Sequence, residues 1–143
     1  MIYHMIVEQT KAYKNRIKYD DINNRFYETE FLSLFHARNC PYPYGWVAET
    51  GTPPNFHLDV ILVSDQTYEL GERVSIKLIG VFKRADDDHK LVAVPYESQL
   101  DDISQLDGAG FEKLVVLYPE IGEDEGWFGA EEANVVMEGV INE

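Results

Sequence analysis

Three strand-type segments follow one another at close spacing: Leu58–Val63 (LDVILV), Val74–Lys83 (VSIKLIGVFK) and Leu91–Val94 (LVAV). The first is almost continuously apolar, which suits a buried strand, and the second alternates before turning fully apolar. Pro95 stops the third, because proline has no N–H to give a ladder. The gaps hold turn chemistry, Asp86–Asp88 among it, and are too short for crossover helices. The spacing therefore predicts a small antiparallel barrel in place of a βαβ sheet. Met1–Glu8 alternates and is rich in Ile, Tyr and Val, and Arg25–Phe35 is a further extended candidate. Asn39–Phe56 carries most of the prolines with Gly45, Gly51, Tyr42 and Tyr44, the chemistry of a loop with a packed aromatic centre.

The last third changes period. Phe111, Leu114, Val115 and Tyr118 recur as one helical face, and Ala130, Ala133, Val136, Met137, Val140 and Ile141 as another. Glu131 and Glu132 open the second helix, where negative charge suits the helix dipole. The expected class is mainly β with α: a five-stranded barrel with two C-terminal helices outside, in a single domain over residues 1–143.

The net charge of −14 argues against nucleic acid and anionic membranes, which need clustered Lys and Arg, and is compatible with divalent cations. The single cysteine, Cys40, cannot form an intramolecular disulfide and reads as a structural thiol. No apolar run is long enough for a membrane span, and the N-terminus is too short and too acidic nearby for a signal peptide. A cytoplasmic location is the expectation.

Along Tyr42–Pro95 the order of features becomes specific. The stretch PYGWVAETGTPPNFHLDVILVS is followed by GERVSIKLIGVFKRADDDHKLVAVP, and Gly126–Ala133 (GWFGAEEA) opens the last helix. Together with Ile6-Val7-Glu8, this ordered set resembles the soluble (family I) inorganic pyrophosphatases over nearly the whole chain. The resemblance implies an OB-like five-stranded barrel and hydrolysis of pyrophosphate to two phosphates. It implies Mg²⁺ as cofactor, with Mn²⁺ or Zn²⁺ as alternatives, and a homo-oligomer.

Carried over residue by residue, it implies Asp59, Asp86, Asp88 and Glu8 as metal-shell carboxylates and Lys18, Tyr44 and Lys90 as phosphate contacts. Two carboxylates two residues apart on an extended turn can converge on one ion. By themselves Asp86–Asp88 also read as a solvated turn, Asp59 as a strand-edge cap, Lys90 as surface charge and Tyr44 as core packing. The basic–acidic pair near the N-terminus fits either Arg16 and Lys18 or, with a one-residue shift, Lys18 and Asp20; the shift keeps the order basic, Tyr19, acidic.

The chain also departs from the family pattern. Pro54 stands where the resemblance has a metal ligand, and Phe56 where it has the general base. A phenyl ring can neither ligate Mg²⁺ nor accept a proton. Leu32 replaces an arginine, Cys40 a tyrosine, and the Tyr-Lys phosphate clamp is reduced to Tyr118 followed by Pro119. His57 is adjacent to Phe56, but its side chain is expected on the opposite side of the extended chain. No confident catalytic residue emerges. The expected function is Mg²⁺-dependent pyrophosphate hydrolysis, weak or altered; the alternative is an inactive pyrophosphatase-fold protein serving as a ligand-binding or oligomer-partner module.

Overall fold

The computed structural model describes residues 2–141, so Met1 of the first extended candidate lies outside the described residues. In chain order the elements are β1 (Tyr3–Gln9), β2 (Asn15–Asp20), β3 (Arg25–Leu32), α1 (Leu34–Ala37), β4 (Tyr44–Val47) and β5 (Asp59–Leu62). Then come β6 (Arg73–Lys83), β7 (Lys90–Pro95), α2 (Gly108–Val115), β8 (Gly126–Gly129) and α3 (Ala130–Ile141). The sheet order is β1-β4-β5-β7-β6-β8, and a further β1–β6 pairing closes five strands into a barrel. β6 makes the closure possible. One of its edges runs along β7, while the other gives residues 73–76 to β1 and residues 80–83 to β8. A register shift between Leu78 and Gly80 bends the strand where its partner changes. The expectation of an antiparallel barrel is corrected at one place: β5 and β7 are parallel, because β6 intervenes in sequence and hairpins back as β7.

The apolar runs are explained by burial on two faces. In β5 and β7, Val60, Leu62, Leu91 and Ala93 fill the core inside the barrel, which Ala133 and Met137 of α3 complete. On the opposite face Ile61 and Val92 join Phe35, Cys40, Tyr42, Leu114 and Leu117 in a second core. Strands buried on both faces need no alternation. The helical face of α3 is as expected, and the carboxylate of Asp102 accepts the Ala130 N–H (2.7 Å) at its start. The face expected for α2 is corrected: the helix ends at Val115, and Leu117, not Val115 or Tyr118, joins Leu114 as a fully buried residue. β2 and β3 form a separate hairpin beside the barrel. Extended structure in the Arg25–Phe35 candidate stops at Leu32, and Ser33 precedes the short α1. The loop expected over Asn39–Phe56 is corrected at its centre: Tyr44–Val47 is β4, held extended by pairing with β1 on one edge and β5 on the other.

Candidate active site

A cavity of about 680 Å³ opens on the outer face of the barrel, at the start of the parallel pair β5 and β7. Asp59 and Lys90 are register partners at that end, and Tyr44 reaches in from β4. The parity of β1 turns Tyr3, Met5 and Val7 into the barrel core and leaves Glu8 for the cavity. Arg16 and Lys18 of β2 form the facing wall.

Lys90 is the centre of the arrangement. Its Nζ donates to Asp59 Oδ2 (2.6 Å), Asp88 Oδ1 (3.1 Å) and the Tyr44 hydroxyl (3.3 Å). The lysine is 6% exposed. His57 Nε2 lies 3.2 Å from Asp59 Oδ1, and its Nδ1 is 2.8 Å from the Asn55 carbonyl oxygen. Asp86 does not join Asp59 and Asp88 on Lys90. It lies 3.6 Å from Arg84, which also reaches Asp88 at 3.6 Å. The Asp86–Asp88 segment is a turn, with Asp87 in the left-handed region (φ 62°) and the Asp88 N–H donated to Asp86 Oδ1.

Phe56 faces solvent, 68% exposed, and does not line the cavity. His57 does line it. The expected opposition of the two side chains holds, and it is His57 that shares a side with Asp59, two residues on. Sequence reasoning passed over that parity. It also missed Arg38, outside the matched motifs, and Arg84, inside one of them but assigned no role there; both line the cavity. The lining holds five cations (Arg16, Lys18, Arg38, Arg84 and Lys90) against two carboxylates (Glu8 and Asp59), in a chain of net charge −14. Such a cavity attracts anions that the rest of the surface repels.

Burial works to raise Asp59, but the hydrogen bond from His57 and the charge of Lys90 outweigh it and hold the carboxyl at about 2. Burial also opposes charge on Lys90, yet Asp59 and Asp88 keep its value raised. The hydrogen bond to Asp59 raises His57. Burial pushes Tyr44 and Tyr118 up. Burial, then the charge of Asp59, lifts Glu8 from the ordinary 4.5 to about 7. The two carboxyls therefore act oppositely on stability. The contribution of Asp59 is complete above its ordinary 3.8 and is lost as pH falls through about 2. Glu8 binds its proton more tightly folded than unfolded, so its contribution is complete below 4.5 and is lost as pH rises through about 7. In metal-free buffer, Glu8→Gln should match the wild-type melting temperature near pH ~4 and exceed it at pH ~8, by up to about 3 kcal/mol of stability. An advantage that does not grow over that range would show that Glu8 is solvated.

The family model for inorganic pyrophosphatase matches residues 5–140. The chain belongs to the inorganic pyrophosphatase family. Among curated relatives, an inorganic pyrophosphatase from Nanoarchaeum equitans is 26% identical over 115 residues, covering 74% of this chain and 69% of the relative. One from Helicobacter pylori is 31% identical over 84 residues, covering 50% of this chain and 49% of the relative, about half its length. Among solved structures, an inorganic pyrophosphatase from Neisseria gonorrhoeae superposes with a TM-score of 0.78 at 24% identity, over 99% of this chain and 90% of that one. At that identity the likeness shows the fold. Among the described residues of this pyrophosphatase-family chain, no helix is long and apolar enough to cross a membrane.

Among the described residues, no three His, Cys, Asp or Glu side chains form a metal-holding group. Mg²⁺, however, is commonly held by one or two carboxylates together with substrate phosphates and water. Asp59 and Asp88 already converge on one cationic centre, the Lys90 ammonium. The donor set therefore fits a divalent ion that shares its coordination with phosphate.

Proposed function

We propose that this chain binds pyrophosphate in the cavity and hydrolyses it slowly to two phosphates, with Mg²⁺ as cofactor and Mn²⁺ or Zn²⁺ as alternatives. The observation that carries the reading is the convergence of Asp59 and Asp88 on Lys90 inside a cationic cavity. Asp59, Asp88 and Glu8 would hold the divalent ion, and Asp86 would act through Arg84 at the rim. The ion supplies charge neutralisation at the phosphoryl group and activation of water. Lys18 donates to phosphate oxygens, while Lys90 and the neutral Tyr44 hydroxyl, already engaged with Asp59, present positive charge and a polar wall to the phosphate. His57 holds Asp59 Oδ1 and fixes the orientation of that carboxylate. Slow turnover is expected because Pro54 and Phe56 bring no carboxylate, and a general base alone is worth about 10²–10⁴ in rate. Likeness to the family is what supports a homo-oligomer and a cytoplasmic location within the same reading.

The test is phosphate release from pyrophosphate in millimolar Mg²⁺, beside EDTA and an Asp59→Asn control. Turnover should vanish in EDTA and fall about 100-fold in the variant. Release that is indistinguishable from the Asp59→Asn protein would remove hydrolysis from this reading.

A further inference from the structure

Arg38 immediately follows α1, and its Nη1 donates to the carbonyl of Leu117, 79 residues away. Leu117 is fully buried, and its own N–H is given to the Leu114 carbonyl at the end of α2. The anchor is therefore rigid. A guanidinium has five N–H donors, and this bond uses one. The side chain lines the cationic cavity. Among the described residues no carboxylate forms an ion pair with Arg38, whereas Arg84 is shared between Asp86 and Asp88, and Lys90 between Asp59 and Asp88. Tyr118, next to Leu117, carries Arg84 over its ring at 5.7 Å. Two guanidinium groups thus meet the Leu117–Tyr118 step, and only Arg38 has its charge uncommitted. In a chain of net charge −14, a fixed arginine without an acidic partner at a cavity wall is poised for an anion from outside.

We propose that Arg38 is a phosphate-binding residue of this cavity, its free guanidinium edge forming paired hydrogen bonds to a phosphoryl group of bound pyrophosphate. The inference rests on the pyrophosphate reading above. It assigns to the residue after α1 a cation that the sequence pattern lacks at Leu32 and Pro119. Bidentate arginine contacts suit the tetrahedral oxygens of phosphate better than a point charge does.

Calorimetric titration of the full chain with pyrophosphate in Mg²⁺ tests it, using Arg38→Ala, Arg38→Gln and Arg38→Lys, with Arg25→Ala as a surface-charge control. Wild type and Arg25→Ala should bind alike. Arg38→Ala and Arg38→Gln should bind about tenfold or more weakly, and Arg38→Lys should recover part of the loss. Should Arg38→Ala fail to fold, Arg38→Gln decides, since it keeps a polar side chain with an amide N–H donor but lacks the charge and the paired donor edge. Wild-type affinity in Arg38→Gln would reduce Arg38 to a tie between α1 and α2 and overturn the inference. Absence of binding in wild type and Arg25→Ala alike would overturn the pyrophosphate reading, and the role of Arg38 with it, so the two failures read differently.

Discussion

Lys90→Met is expected to cost about 3–5 kcal/mol of stability and to abolish pyrophosphate binding, because it leaves the charge of Asp59 buried without its counter-ion. The lysine side chain is 7% exposed and that of Asp59 16% exposed, so water from the cavity replaces the lost ammonium only in part. The methionine fills much of the same volume, which separates the electrostatic loss from a packing loss. The effect should depend on pH with a definite sign. Asp59 is held at about 2 in part by Lys90, so removing the ammonium raises the carboxyl and makes the folded state take up its proton more readily. The deficit should therefore be largest at neutral pH and shrink on acidification, as Asp59 becomes protonated. Urea unfolding of both proteins across the acid range would show this. A deficit that stays constant with pH would place the cost in packing alone.

Gly45→Ala is expected to cost about 4 kcal/mol and to disturb the site together with the barrel. An added Cβ would meet the backbone oxygen of Ile6 at 1.9 Å and the amide nitrogen of Glu8 at 3.2 Å. These are backbone atoms of β1, so no rotamer change relieves the clash. β4 pairs with β1 there, Gly45 opposite Val7, and the strands can separate only by loosening the closed ring. Tyr44 and Glu8 flank the contact and both line the cavity, so even a variant that folds should bind pyrophosphate poorly. Thermal unfolding with a binding titration checks both statements. A variant as stable as wild type would show that the ring yields at the β1–β4 pairing without cost.

The legible parts of the fold were those in which one strand or helix carries its own signature. β5, β6 and β7 were visible because apolar side chains mark strands buried on both faces, and α3 because its buried residues repeat at helical spacing. β2 could not be seen: Asn15–Asp20 buries only Ile17, so its sequence has no apolar alternation. β8 was missed for a related reason, since Gly126–Gly129 is extended only through its pairing with β6. The α2 expectation erred at Tyr118, where the helical period continues in sequence after the helix has ended, and the ring stacks on Phe82 at 4.5 Å.

For the site, Asp59, Asp88, Lys90, Tyr44, Glu8 and Lys18 were named from ordered motifs, and the fold gathers them around one cavity or its edge. Asp86 was named with them but is taken up by Arg84 at the rim. The sequence by itself determined β1, β5, β6, β7 and the last helix, each encoded over a short stretch of chain, and it determined the family and the acidic–basic core of the site through the order of motifs along the whole chain. Only the tertiary structure decided that β5 and β7 run parallel, that His57 faces Asp59 while Phe56 faces water, and that Arg38 meets Leu117 from the other half of the chain. Those outcomes depend on which side of a strand meets the cavity and on contacts closed by folding, which local residue patterns do not specify.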